Sequence, residues 1–166
     1  VNDQTQQITL QAYGQNIEKI QGDSGLIVYQ NLTLTNQKPY VVYDTVAVAG
    51  KLSIEKGTTI YMHEGAAIYA YGSVLAQGTK EQPIIFRGDR TDRIFDSVPY
   101  RMVSGQWDGL YLLYDGQGST PEYQLNYVEV LSGSVGLYAY SSDMNKCPHM
   151  SLKNSRIHNH SIYGLI

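Results

Sequence analysis

The densest charged stretch of the chain covers residues 87–97, RGDRTDRIFDS, in which arginines and aspartates alternate. One interpretation makes it the wall of a carbohydrate cleft, because a guanidinium can bind the carboxylate of an acidic sugar through two parallel hydrogen bonds. The other makes it a surface loop tied down by its own Arg/Asp pairs, since the opposite charges nearly cancel. The candidate binding residues of this stretch are Arg87, Arg90, Asp92 and Arg93.

Aromatic side chains offer a second binding chemistry. Trp107 stands between two glycines and either stacks on a sugar ring or packs the preceding loop onto the core. Tyrosines at alternate positions of predicted strands point outward and form a candidate strip for a glycan or a protein partner: Tyr69, Tyr71, Tyr111, Tyr138 and Tyr140. We expect Tyr111 and Tyr138 to stack in adjacent repeats, with Tyr69 and Tyr71 two repeats before Tyr138. The alternative is stacking that only stabilises the sheet.

No catalytic residue is predicted. A polysaccharide lyase needs a basic side chain beside carboxylates that hold calcium, and a hydrolase needs two or three carboxylates around the scissile bond. The acidic residues of the repeats are scattered and, in the first two, stand next to turns: Glu55, Glu64, Glu81, Asp108, Asp115, Glu122, Glu129 and Asp143. His158 and His160 share a strand face but lack a third ligand nearby in the sequence, so no metal or cofactor is predicted.

Composition narrows the class of protein. The 166 residues suit one domain, and a net charge of -3 with 16% charged residues provides no basic field for nucleic acid. Glycines alternate with tracts rich in Val, Ile, Thr and Tyr, which favours an all-β chain. The lone Cys147 cannot form an internal disulfide, and no apolar run is long enough to cross a membrane.

The elements that would position these residues repeat along the chain. Residues 46–88 show the same phrase twice at a spacing of 22, which places Val46 on Ile68 and Leu52 on Val74. Later, Gly-Leu-Tyr at 109–111 recurs at 136–138 and as Gly-Leu-Ile at 164–166, at spacings of 27 and 28. Three short strands per repeat predict a parallel β-helix of about 22–28 residues per coil. An antiparallel sandwich is the runner-up, but it gives no reason for a repeat.

We divide the chain into an N-terminal capping segment, residues 1–44, and β-helix coils over 45–166. Residues 89–105 break the strand pattern and are predicted to form a loop excursion that leaves the register intact. The inward positions expected to form the core are Leu52, Ile54, Ile60, Val74, Ile84, Leu110, Leu137 and Ile157.

Residues 52–90 together with GQWDGLYL at 105–112 resemble the right-handed parallel β-helix repeat proteins, in particular exported surface lipoproteins of gut-type Gram-negative bacteria. The likeness covers residues 38–166. It implies a right-handed coil, an export signal removed from the front, and a lipid-anchored position at the outer membrane or cell surface. It implies little about activity.

The function expected from these observations is that of a non-catalytic cell-envelope scaffold. It binds a glycan or protein partner, or displays its surface toward one. A polysaccharide-acting lyase or hydrolase, or a fragment of one, is the alternative, and a purely structural stalk is the third. The last residues, 164–166, copy a strand without a capping segment. We therefore expect either self-association through this edge or a chain cut from a longer β-helix.

Overall fold

A computed structural model describes residues 16–166, which form a right-handed parallel β-helix, as the repeat and the resemblance predicted. Each coil contributes one strand to each of three parallel sheets, in the order A, B, C, except the last, which contributes to A and B only. Within the described range, no helix has the length and apolar composition to span a bilayer.

The three sheets take their strands from successive coils. Sheet A contains β1 (Glu18–Ile20), β4 (Tyr40–Val42), β7 (Thr59–Met62), β10 (Ile84–Gly88), β15 (Val128–Leu131) and β18 (Arg156–His158). Sheet B contains β2 (Leu26–Tyr29), β5 (Thr45–Val48), β8 (Ala67–Ala70), β13 (Gly109–Tyr114), β16 (Val135–Ser141) and β19 (Tyr163–Leu165). Sheet C contains β3 (Leu32–Leu34), β6 (Leu52–Ile54), β9 (Val74–Gln77), β14 (Glu122–Asn126) and β17 (His149–Lys153).

The strand register confirms the predicted repeat. Val46 pairs with Ile68 in sheet B and Leu52 pairs with Val74 in sheet C, at the spacing of 22 seen in the sequence. The later spacings of 27 and 28 also hold, because Leu137 lies between Leu110 and Leu165 in adjacent strands. Equivalent residues of successive coils therefore stack in columns along the solenoid.

The first described coil lies within the predicted capping segment. Strands β1, β2 and β3 pair in parallel with β4, β5 and β6, so residues 18–34 already follow the path of the coils. Their partners are 22, 19 and 20 residues away, for example Glu18 with Tyr40 and Leu26 with Thr45. These unequal corner lengths explain why the period is blurred in this part of the sequence. Residues 1–15 of the capping segment lie outside the described residues.

The core fills the space between the three sheets. Alternating inward side chains from every coil meet there, and the predicted core positions are buried, with Ile157 partly buried against them. On the last strand of sheet B, Tyr163 and Leu165 are half-exposed, and Ile162 just before the strand is exposed. Self-association through this edge stays a prediction.

The predicted excursion occupies one corner of the solenoid. Twenty residues, 89–108, connect β10 of sheet A to β13 of sheet B, whereas three residues, 132–134, make the same corner one coil later. The excursion folds on itself as a two-stranded antiparallel ribbon, β11 (Arg93–Ile94) with β12 (Val98–Pro99), followed by a 3-10 helix, Tyr100–Met102. No side chain from Asp89 to Gln106 is buried.

Deleting residues 90–103 and joining Asp89 to Ser104 is expected to leave the solenoid folded. The deletion removes no core side chain, and a three-residue corner already closes the next coil. The main loss is three hydrogen bonds to backbone carbonyls, two from the Gln106 amide to Tyr100 and Val103 and one from the Arg87 guanidinium to Arg90. We expect the free energy of unfolding to fall by less than about 1 kcal/mol, or about 4 °C in Tm. Circular dichroism and thermal melts test this, and loss of the cooperative transition contradicts it.

Candidate functional site

Three tyrosines form one outward column on sheet B. Tyr69, Tyr111 and Tyr138 lie in register on β8, β13 and β16. The ring centroids of Tyr69 and Tyr111 are 4.6 Å apart with planes only 10° from parallel, and those of Tyr111 and Tyr138 are 5.7 Å apart at 50°. Tyr111 and Tyr138 are neighbours in adjacent coils as expected, but their rings are tilted, and the nearly parallel pair is Tyr69 and Tyr111. Because the rings cover each other, this column is half-buried and stiff.

The two remaining tyrosines of the predicted strip are more accessible. Tyr140 lies near Tyr138, with ring centroids 6.4 Å apart and planes 23° from parallel, and is 51% exposed. Tyr71 follows β8 and is 46% exposed. Together, Tyr69, Tyr71, Tyr111, Tyr138 and Tyr140 define the tyrosine strip, which offers free ring surface at Tyr71 and Tyr140.

Burial and the neighbouring carboxylate of Asp108 raise the pKa of two hydroxyls in the strip, those of Tyr69 and Tyr111. Burial raises the pKa of Tyr69, and Asp108 and Tyr71 raise it further. Burial also raises the pKa of Tyr111, with smaller contributions from Tyr69, Asp108 and Tyr138. The hydroxyls therefore remain able to donate hydrogen bonds at any physiological pH.

A groove runs along the corner between sheets B and C, next to Tyr71. Its volume is about 720 Å³, and its polar lining side chains are Lys51, Ser73, Asp115, Gln117, Ser119 and Thr120. At the floor of this corner groove, the backbone at Gly72 lies against the backbone at Gly50. A Cβ atom added to Gly72 would lie 2.0 Å from the carbonyl oxygen of Gly50. Sequence reasoning found Tyr71 but missed the groove, because three corners that are distant in the sequence form it.

The charged excursion carries its own ion pair. Arg90 donates through Nε to Asp92 at 3.0 Å, and its guanidinium lies 3.7 Å from the ring centroid of Tyr100. Arg93 is exposed on β11 and donates to the backbone carbonyl of Asp96. Arg90 and Asp92 thus fit the interpretation of a loop held by its own Arg/Asp pair, and neither contacts the tyrosine strip.

The prediction that Trp107 is a ligand-binding residue is wrong. Its side chain is 1% exposed, and Nε1 donates to the carbonyl of Leu131 at 3.0 Å. The ring lies inside the corner against Gly133, where the excursion returns to the coil. Trp107 therefore packs the excursion onto the core, which was the other interpretation of its position between two glycines, and no face is left for a sugar.

Arg87 lies on a different face from the tyrosines. It belongs to β10, and its guanidinium is 5.5 Å from the ring centroid of Tyr61 on β7, both in sheet A. Its neighbours in a shallow pocket include Arg101, Arg156 and His158, none of which the sequence singled out as binding residues. The candidate residues therefore form two separate groups rather than one cleft.

A second polar pocket lies between the excursion and the A–B corner. Here Nδ1 of His63 and Oδ2 of Asp89 are 2.6 Å apart, and Glu64 lines the same space of about 250 Å³. An imidazole oriented by a carboxylate is a common general base.

The two histidines that share a strand face, His158 and His160, bond to different partners. His158 bonds Glu129, and His160 bonds the carbonyl of Val130.

Comparison with known proteins identifies no relative: no protein-family model, no curated protein and no solved structure matches the chain. Function is therefore inferred from the chemistry of these sites. The resemblance to exported β-helix lipoproteins stays a prediction.

Proposed function

We propose that the protein is a non-catalytic β-helix scaffold of the bacterial cell envelope that binds glycans through the tyrosine strip and the corner groove. The observation that carries the proposal is the position of Tyr71, whose exposed ring belongs to the strip and also lines the groove. Aromatic rings pack against the C–H faces of sugars, while hydroxyl, amide and charged groups bind the sugar hydroxyls. Both kinds of surface meet at this residue.

The shape of the site favours a chain-like ligand. The strip crosses three consecutive strands of sheet B along the solenoid axis, and parallel strands are spaced by about 4.8 Å. Rings held at that spacing by mutual stacking lose little side-chain entropy when a ligand binds. An extended oligosaccharide can therefore contact several coils at once without a change in the protein.

Tyr71→Ala is expected to weaken the binding of a neutral hexasaccharide by about tenfold, because the free ring face is lost. A panel of cellohexaose, xylohexaose and mannohexaose supplies the probes, and titration calorimetry measures the affinity. Tyr71→Phe keeps the ring and is expected to bind within about twofold of the wild type. Tyr43→Ala, which removes a half-buried tyrosine from a different corner, is the matched control.

Two outcomes contradict this proposal. If none of the hexasaccharides binds the wild type, the glycan assignment fails and a structural stalk or a protein-binding scaffold replaces it. If Tyr43→Ala weakens binding as much as Tyr71→Ala, the loss reflects the fold rather than the groove.

A polysaccharide-acting enzyme is the second candidate, because His63, Glu64 and Asp89 line one pocket. A glycosidase requires an acid and a second carboxylate on either side of the bond that it cuts. Incubation with polysaccharides followed by an assay for new reducing ends or unsaturated sugars distinguishes the two candidates. Cleavage that disappears in both Asp89→Asn and Glu64→Gln supports the enzyme, whereas binding without cleavage supports the scaffold.

The cell-envelope position belongs to the proposal as well, and it rests on the resemblance to exported lipoproteins. Growth of the source cells with a labelled fatty acid tests it. Label in the protein and its recovery with the outer membrane fraction support a lipid-anchored surface protein, and an unlabelled protein in the cytosol contradicts it.

A further inference from the structure

The outer face of sheet A carries a concave, cationic pocket that the tyrosine strip does not use. Its volume is about 260 Å³, and the excursion forms one wall through Arg101 and Met102. Strands β10, β15 and β18 supply the rest of its lining: Ile85, Arg87, Glu129, Leu131, Arg156 and His158. The charged groups thus lie above an apolar patch.

Positive charge exceeds negative charge in this pocket. Glu129 is its one carboxylate, and it is already engaged by Nη2 of Arg156 at 3.2 Å and by Nε2 of His158 at 2.9 Å. Within residues 16–166, no carboxylate pairs with Arg87 or Arg101. The whole chain has a net charge of -3, so the excess of cations is local.

Arg87 is held in place without a counter-ion. Its Nε donates to the carbonyl of Gly88 at 3.1 Å and one terminal nitrogen donates to the carbonyl of Arg90 at 2.7 Å, which fixes the plane of the guanidinium. Burial lowers the pKa of Arg87 and Arg101 lowers it too, while Tyr61 acts in the opposite direction. Two cations close together, one of them partly desolvated, are unfavourable until an anion binds between them.

We propose that this pocket binds the carboxylate of an acidic sugar, with Arg87 and Arg101 as the principal ligands. A guanidinium matches the two oxygens of a carboxylate, and the side chains of Ile85, Met102 and Leu131 provide an apolar surface for the sugar ring. The pocket is smaller than the roughly 300–1,000 Å³ typical of drug-sized ligands, which suits a single sugar unit. The choice of a glycan over an acidic protein segment rests on the proposed function.

Titration calorimetry at low ionic strength with trigalacturonate, and with neutral galactotriose as its counterpart, tests the pocket. We expect trigalacturonate to bind, galactotriose to bind at least about tenfold more weakly, and added salt to reduce the uronate affinity. Arg87→Gln and Arg101→Gln should each weaken trigalacturonate binding by about tenfold. Arg101 is exposed on the excursion, so its substitution keeps the test valid if Arg87→Gln does not fold.

The matched control is Arg93→Gln, which removes an exposed arginine of the same excursion outside the pocket. Equal losses in Arg93→Gln and Arg101→Gln, or no binding of trigalacturonate, would overturn the proposal. Sulfate or a triglutamate peptide binding as tightly as trigalacturonate would also overturn it, by showing a bare anion site or an acidic protein partner. Binding of trigalacturonate by a wild type that binds none of the neutral hexasaccharides would support this pocket and contradict the tyrosine strip, so the two proposals can fail independently.

Discussion

Trp107→Ala is expected to lower the free energy of unfolding by about 3–5 kcal/mol, the range for a large aromatic side chain removed from a core. The indole is fully buried at the corner where the excursion rejoins the coil, and Nε1 bonds the carbonyl of Leu131 in the next coil. The backbone carbonyl of Trp107 also accepts a hydrogen bond from Ser134 at 2.7 Å. The residue therefore joins two coils through both its side chain and its main chain.

Urea denaturation of the wild type, Trp107→Ala and Trp107→Phe provides the measurement. Trp107→Phe keeps most of the apolar volume and leaves the Leu131 carbonyl without its donor, so we expect a smaller loss of about 1–3 kcal/mol. A loss below about 0.5 kcal/mol in Trp107→Ala would show that the ring contributes no more than a surface side chain.

Tyr123→Phe is expected to stabilise the protein, and to do so increasingly at alkaline pH. Tyr123 lies inward on β14, and its hydroxyl is buried without a hydrogen-bond partner among the described residues. Removing an unsatisfied buried hydroxyl recovers its desolvation cost, about 1–3 kcal/mol. Most substitutions that delete a core atom lower the free energy of unfolding, so an increase is an unusual result.

The pH dependence follows from the same burial, which raises the pKa of Tyr123 to about 12. The folded state then retains the phenolic proton above pH 10, where the unfolded chain releases it, so stability falls as pH rises from about 10 to about 12. At about pH 11 the ionisation adds about 1.4 kcal/mol to the advantage of Tyr123→Phe over the wild type.

Urea denaturation of both proteins at about pH 8 and about pH 11 gives the difference directly. Tyr61→Phe on the outer face of sheet A is a suitable control, because its hydroxyl does not lie in the core. An advantage of Tyr123→Phe that stays constant with pH would mean that the hydroxyl reaches water in the folded state.

Much of the fold was predictable because a solenoid repeats its local pattern. Alternation placed Leu52, Val74 and Leu110 inside, and equal spacing placed each of them against its counterpart in the next coil. The first coil was harder to recognise, since its three corners differ in length and the period is lost. The strand pattern also did not indicate on which side of the corner the Trp107 ring lies. The residue stands just outside a strand, where the alternation of inward and outward side chains no longer applies.

The same reasoning explains which site residues were found. Tyr69, Tyr111 and Tyr138 occupy one register position of sheet B, so strand period alone predicted that they lie next to one another. Arg101 and Arg156 lie near Arg87 for another reason: the excursion folds back over sheet A, and β18 lies two strands beyond β10. The direction in which an irregular loop folds is set by tertiary contacts, which no periodicity in the sequence records.

The parallel pairing of every coil with the next has a mechanical consequence. Backbone hydrogen bonds between strands run along the solenoid axis. A force that pulls the first and last coils apart therefore stretches these bonds along their length. A terminal coil is bonded to one neighbour only, so we expect the coils to detach one at a time from the ends. Each detached coil of 22 residues adds about 70 Å of slack. Such a molecule yields to force by extending in steps while the remaining coils keep their shape.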